Sequence, residues 1–103
     1  MQETLSIMKY DIEIKDYADQ EIAVAYLYYQ DKRIGLGEEF LDHLITYFNR
    51  IRKYPEHFPQ KQKPYREAFI KRFPFLIIYE IEETKIVVYS VFNTWQSPKK
   101  KWK

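Results

Sequence analysis

The stretch "PFLIIYEIEETKIVVYSVF", from Pro74 to Phe92, predicts how the second half of the chain is arranged. It is apolar at nearly every position from Phe75 to Ile81, which is typical of a central strand covered on both faces. The pair Glu83-Thr84 separates this run from a second apolar run. Because so short a connection joins antiparallel neighbours, we expect these two strands to form a hairpin.

A third strand is predicted directly upstream, in "YREAFIK", residues 65–71, with Phe73-Pro74 turning it into the central strand. The three strands would then form an antiparallel meander. The segment before them, "PEHFPQKQKP", residues 55–64, contains three prolines and predicts a loop.

The first half of the chain predicts one strand and two helices. Residues 8–15, "MKYDIEIK", alternate between apolar and polar, the pattern of a half-buried strand. Asp16 is then a candidate N-cap of a helix. The apolar stripe of this helix recurs at spacings of three and four and consists of Ala18, Ile22, Ala25, Tyr26 and Tyr29.

A second helix is predicted from Leu36 to Tyr54, after Gly35 and Gly37 allow the chain to turn and before Pro55 ends it. Two helices joined by a short loop form an antiparallel hairpin. The element order is therefore β-α-α-β-β-β. We expect an α+β fold in which an N-terminal helical hairpin packs against one antiparallel sheet.

Composition limits the classes of function. The chain has 103 residues, the size of one domain, so residues 1–103 are predicted to form a single domain. It has no cysteine, which excludes disulfides and thiolate metal sites. His43 and His57 lack the spacing of a metal site, and we expect neither metal nor cofactor. No signal peptide and no apolar run near the ~20 residues of a membrane span is visible, so we expect a cytoplasmic protein.

Charge is distributed unevenly along the chain. Residues 1–49 contain four Lys/Arg and ten Asp/Glu, whereas residues 50–103 contain thirteen and five. One interpretation is a basic surface for an anionic partner, and the other is an acidic half that folds against the basic half and neutralises it. The composition leaves both open.

Three stretches resemble those of the RelE/ParE family of bacterial toxins. "RFPFLIIYEI" carries the family's Phe-Pro-aromatic and Ile-x-Tyr pattern. "KIVVYSVFNTWQSPKKKW" is similar to its valine-rich last strand and Pro-Lys-Lys-Trp-like end. "YYQDKRIGLGEEFLDHL" is similar to its Gly-Leu-Gly-x-x-Phe link between helices. Together the matches span about residues 8–103.

The resemblance implies a toxin of a type II toxin-antitoxin module, of the kind described as plasmid stabilisation proteins. Such a toxin inhibits bacterial growth and is neutralised by a cognate antitoxin, and DNA binding in these modules belongs to the antitoxin. ParE-like members inhibit DNA gyrase without being hydrolytic enzymes. RelE-like members are ribosome-dependent endoribonucleases that cut messenger RNA without metal. A third alternative is a non-toxic relative that only binds its partner.

The chain departs from the RNA-cutting pattern where relatives carry histidine and arginine. Asn93, Trp95 and Gln96 follow the last strand, and Leu76 stands in the central strand where cutters place an arginine. Asparagine is no general base and tryptophan cannot clamp a phosphate as arginine does. These departures favour the ParE-like interpretation. If the protein is a nuclease nevertheless, its catalytic residues are unknown.

Candidate binding residues follow from the basic loop and strand, the end of the last strand and those helix tyrosines that are not fully buried. The predicted target-binding residues are Lys61, Lys63, Arg66, Arg72, Asn93, Trp95, Lys99 and Lys100. The predicted antitoxin-binding residues are Tyr29, Tyr47 and Lys71. For the lysines, a solvated strand and a frayed terminus is the simpler alternative. Trp95 is different, because a tryptophan directly after a strand is usually packed or bound.

Overall fold

The computed structural model describes residues 10–96, which form two helices and four strands. In chain order these are β1 (Asp11–Ile14), α1 (Asp16–Lys32), α2 (Leu36–Lys53), β2 (Arg66–Ile70), β3 (Phe75–Glu82) and β4 (Lys85–Asn93). A single 3-10 turn, Pro55–His57, follows α2. The predicted α+β fold class and the order β-α-α-β-β-β are confirmed. Met8 of the first predicted strand lies outside the described residues.

The four strands form one sheet in the order β1-β4-β3-β2. β2, β3 and β4 form the predicted antiparallel meander, and the turn between β3 and β4 contains Glu83 with φ 55°. The prediction of an antiparallel sheet was wrong for β1, which pairs parallel with β4 and places Ile12 opposite Ile86. A short turn dictates antiparallel pairing, but no short turn joins β1 to the sheet, because both helices intervene.

Both helices begin and end close to the predicted positions. α1 begins at Asp16, but the N-cap is Lys15, so the prediction of Asp16 as the cap was wrong. Asp16 and Asp19 instead lie in the first turn, where negative charge is favourable near the positive end of the helix dipole. α2 ends at Lys53, because Pro55 disfavours helical geometry before it.

Two glycines determine how closely the helices approach. Gly35, the N-cap of α2, has φ 95°, a left-handed conformation that side chains with a Cβ rarely adopt. Gly37 is buried in the first turn of α2, and a Cβ there would lie 2.8 Å from the Tyr26 ring of α1. Its N–H donates to Gln30 Oε1 at 2.9 Å. Gly37 therefore allows the two helices to meet without a clash.

The core lies between the helical hairpin and one face of the sheet. At its centre, the Phe40 ring of α2 lies 5.4 Å from Tyr29, 5.4 Å from Phe73 and 5.1 Å from Phe75, measured between ring centroids. Around this cluster pack buried aliphatic residues of the helices and strands: Ala18, Ala25, Leu44, Ile51, Ala68, Ile70, Ile77, Ile86, Val88 and Val91. β3 is buried on both faces at Ile77 and Ile78, as predicted for a central strand.

Candidate functional site

A groove of about 470 Å³ lies between α1 and the ends of β3 and β4. Its exposed rim is apolar, since Tyr17, Val24, Tyr28 and Trp95 line it with 53%, 68%, 50% and 78% of their surfaces exposed. Its floor includes Tyr29, Phe75 and Val91. A cluster of large apolar side chains that remains exposed marks a surface for binding another molecule.

The rim arises because α1 is apolar on two sides. Ala18 and Ala25 are buried against the sheet, and these small residues let the helix approach closely. Tyr17, Val24 and Tyr28 share a second face, at spacings of seven and four, that projects beyond the sheet. The predicted stripe identified the buried side. It missed the exposed side, although the same helical spacing in the sequence marks it.

Among residues 10–96, the groove lining contains one charged group, the half-buried carboxylate of Glu21. Glu21 Oε1 accepts hydrogen bonds from Ser90 Oγ and from the backbone N–H of Val91, both at 2.8 Å. β1 ends opposite Val88, so it has no residue left to pair with Val91 of β4. The Glu21 carboxylate accepts the hydrogen bond of the Val91 N–H in its place. Burial raises the pKa of Glu21, while the two hydrogen bonds oppose that rise.

Glu21→Ala is expected to lower the free energy of unfolding by about 1–3 kcal/mol, because it leaves the Val91 N–H without its acceptor. Glu21→Gln keeps an acceptor oxygen and removes a charge that burial disfavours, so it should cost much less at neutral pH. Urea unfolding of both variants measures the difference. Since the folded-state pKa is raised, wild type should gain stability relative to Glu21→Gln as pH falls through that pKa towards the ordinary carboxyl value. Equal destabilisation by Ala and Gln would contradict the hydrogen-bonding role.

Asn93 and Trp95, two of the predicted target-binding residues, meet at this groove. Asn93 Oδ1 accepts a hydrogen bond from the backbone N–H of Trp95 at 2.9 Å and thereby fixes the turn after β4. Trp95 is exposed rather than packed against the protein, and its contact with a target stays a prediction. Lys99 and Lys100 lie outside the described residues.

The predicted arginines have partners within the protein. Arg66 Nη1 donates to the carbonyl oxygen of Phe58 at 2.8 Å, which holds the loop before β2. Arg72 forms an ion pair with Glu39 of α2 at 2.9 Å and lies over the Phe73 ring. Their contact with a target stays a prediction, and each has a structural role besides.

The predicted antitoxin-binding residues do not form one surface. Tyr29 packs on the aromatic core and lines the groove, whereas Tyr47 is buried. Lys71 is exposed and lines a second cavity, together with Tyr47. Tyr26 fills the seam between the helices, with its hydroxyl donating to Glu38 Oε2 at 2.9 Å.

The second cavity, of about 350 Å³, is the basic cavity, defined by Arg50, Lys61 and Lys71. Its other lining residues are Tyr47, Phe58, Pro59, Glu67, Phe69 and Leu76. Lys61 and Lys71, predicted as separate contacts, thus come together, while the predicted residue Lys63 is exposed in the same loop as Lys61.

Neither histidine has the surroundings of a metal ligand. Nδ1–H of His43 donates to the Glu39 carbonyl oxygen at 2.9 Å, and the His57 ring stacks on Tyr54 at 4.8 Å. Within residues 10–96 no group of three or more His, Asp or Glu side chains could hold a metal ion. No helix in the same range is long and apolar enough to cross a membrane.

The fold and the groove define a small α+β domain with an open apolar surface. The fold matches a solved structure from P. aeruginosa described as "Chromosomal ParDE TA system", with a TM-score of 0.73 at 10% sequence identity. The match covers 82% of this chain and 96% of that one. A search of curated proteins found no match.

The family follows from the sequence match. The family model described as "ParE toxin of type II toxin-antitoxin system, parDE" matches residues 12–97. The chain therefore belongs to the ParE toxin family of type II toxin-antitoxin systems. The resemblance of its three motifs to RelE/ParE toxins is confirmed.

Proposed function

We propose that this protein is a toxin that acts by binding DNA gyrase and is neutralised by a cognate antitoxin that occupies the apolar groove. The observation that carries the proposal is the groove itself, because its rim exposes four large apolar side chains to solvent. Family membership supports a toxin of a two-component module, and the solved ParDE structure supports an antitoxin as the partner.

An amphipathic segment of the antitoxin fits the groove best. A helix laid along α1 could insert apolar side chains between Val24 and Trp95, in the manner of helix-in-groove recognition. Aromatic rings such as Tyr28 and Trp95 are the residue types that dominate binding energy in protein interfaces. The antitoxin would then lie beside the acidic helix α1, rather than on the basic loop and strand that precede Lys71.

Binding rather than cleavage is the favoured mode of action. By the resemblance to RelE-like toxins, Asn93 and Leu76 stand where RNA-cutting members carry a base or a cation. The two histidine rings are also engaged within the protein, because His43 bonds to the Glu39 carbonyl oxygen and His57 stacks on Tyr54. The gyrase target comes from the ParE-like interpretation. A gyrase target in turn implies a cytoplasmic site of action in a bacterium.

Two experiments test the proposal. Expression without the antitoxin encoded beside the gene should arrest growth, and co-expression should restore it. Purified protein should then reduce supercoiling by DNA gyrase or stabilise its cleaved DNA complex. Normal gyrase activity at saturating toxin would overturn the gyrase target. Codon-specific cuts in toeprints of translating ribosomes would instead establish the RelE-like alternative, and normal growth would leave only a binding function.

A further inference from the structure

The cations of the basic cavity are not among those that form the four ion pairs described within residues 10–96. Among residues 10–96, the ion pairs within 4.0 Å use Lys15, Arg33, Arg72 and Lys85. The cavity cations Arg50, Lys61 and Lys71 are not among them: Arg50 lies in the last turn of α2, Lys61 in the loop before β2 and Lys71 directly after β2. One carboxylate, Glu67, lines the same cavity, so its cations outnumber its anions.

The walls of this cavity are held in place. Arg66 donates to the Phe58 carbonyl oxygen at 2.8 Å, and the backbone N–H of Glu67 donates to the Pro59 carbonyl oxygen at 3.1 Å. The Arg50 guanidinium lies over the Tyr47 ring, 4.8 Å from its centroid. A wall fixed in this way loses little conformational entropy when a ligand binds.

An exposed aromatic ring stands among these cations. Phe69 lies on β2, the edge strand, directly opposite Leu76 of β3, and 52% of its surface is exposed. With Leu76 it forms an apolar platform that lines the cavity beside Lys61 and Lys71. Recognition of a single strand has two components: cations that contact the phosphate backbone, and an aromatic ring on which a base can stack. The basic cavity has both.

We propose that the basic cavity binds a single-stranded segment of nucleic acid, with phosphates on Arg50, Lys61 and Lys71 and one base stacked on Phe69. A duplex is disfavoured, because its bases are already stacked on one another and leave no base face free to stack on Phe69. The site is distinct from the apolar groove and shares none of its lining residues. The inference goes beyond the proposed function and its test needs neither gyrase nor antitoxin.

The test measures the affinity of the full-length protein for a fluorescent oligothymidylate of about twelve nucleotides, by anisotropy at several salt concentrations. An oligouridylate and a duplex of equal length distinguish RNA from DNA and single from double strands. The triple variant Arg50→Gln, Lys61→Gln, Lys71→Gln should lower the slope of log affinity against log salt by roughly 2, because each phosphate that a cation neutralises in a single strand adds about 0.7 to that slope.

The matched control removes the same charge elsewhere. The control variant replaces three exposed cations of the first half of the chain: Lys15→Gln, Lys32→Gln and Arg33→Gln. Neither triple variant changes the C-terminal lysines. The control variant should reduce the salt slope far less. If both triple variants weaken binding equally, net charge explains the binding and the proposed site is overturned.

Phe69→Ala isolates the stacking interaction. It should weaken single-strand binding about tenfold while leaving the salt slope unchanged, because stacking involves no counterion release. Circular dichroism confirms folding, which an exposed ring should not affect. Four results would each overturn the proposal: equal affinity for duplex and single strand, no effect of Phe69→Ala on affinity, no binding at low salt, or displacement of the oligonucleotide by polyglutamate as readily as by unlabelled oligonucleotide.

Discussion

Val24→Asp in the groove is expected to weaken antitoxin binding at least about thirtyfold, equivalent to about 2 kcal/mol. Val24 is 68% exposed in the free toxin and stands in the centre of the apolar rim. An antitoxin segment in the groove would bury the new carboxylate among Tyr28 and Trp95, and no Lys or Arg of residues 10–96 lines the groove to pair with it. Titration calorimetry of each toxin variant with the antitoxin measures the change, and rescue of growth on co-expression should fail in parallel.

The matched control is Leu27→Asp on the same helix. Leu27 is 64% exposed, close to Val24 in accessibility, but it does not line the groove. Both substitutions place a carboxylate on the surface of α1, so both should leave the free energy of unfolding within about 0.5 kcal/mol of wild type. Equal affinity for the two variants would exclude the groove as the antitoxin surface, and weaker binding confined to Leu27→Asp would move that surface around the helix.

The fold could be predicted where local chemistry leaves few alternatives. Pro55 ends α2 because of backbone sterics, and the Glu83-Thr84 turn makes β3 and β4 antiparallel neighbours because nothing else fits so short a connection. The pairing of β1 depends on tertiary packing instead. Its four residues pair parallel with a strand more than seventy residues away, and no local signal specifies that direction.

The groove was harder to predict than the fold, because apolar residues of α1 serve two purposes. Tyr29 packs on Phe40 and also lines the groove, while Val24 and Tyr28 are apolar and exposed. Sequence periodicity indicates which residues share a face. It identified the face of α1 that meets the sheet, where Ala18 and Ala25 allow the close approach, but it does not indicate that a second apolar face stays exposed.

The charge asymmetry supports both of its interpretations in part. Glu39 pairs with Arg72, and Glu13 pairs with Lys85, so acidic residues of the first half do neutralise basic residues of the second. Hydrogen bonds to Lys85 and Lys15 accordingly lower the pKa of Glu13. The remaining cations include Arg50, Lys61 and Lys71 of the basic cavity, which are not the cations of the four ion pairs described within residues 10–96. Composition alone could not divide the cations in this way.

Phe40→Ala is expected to cost about 3–5 kcal/mol of the free energy of unfolding. The ring is fully buried and lies within 5.4 Å of the rings of Tyr29, Phe73 and Phe75, so its removal leaves a cavity and takes away the packing partner of all three. A domain of this size has about 5–15 kcal/mol in total. The melting temperature should therefore fall by roughly 15–30 °C, measured by circular dichroism.

Ile45→Ala on the same helix is the control, because Ile45 is 53% exposed and its truncation should change stability by no more than about 0.5 kcal/mol. Phe40 also supports the groove, since Tyr29 and Phe75 contact its ring and line the groove floor. Phe40→Ala should consequently weaken antitoxin binding even at temperatures where the variant is folded, whereas Ile45→Ala should leave it unchanged. If Phe40→Ala lowered stability yet left antitoxin affinity intact, the groove floor would not depend on the aromatic cluster, and the coupling between core and groove would be disproved.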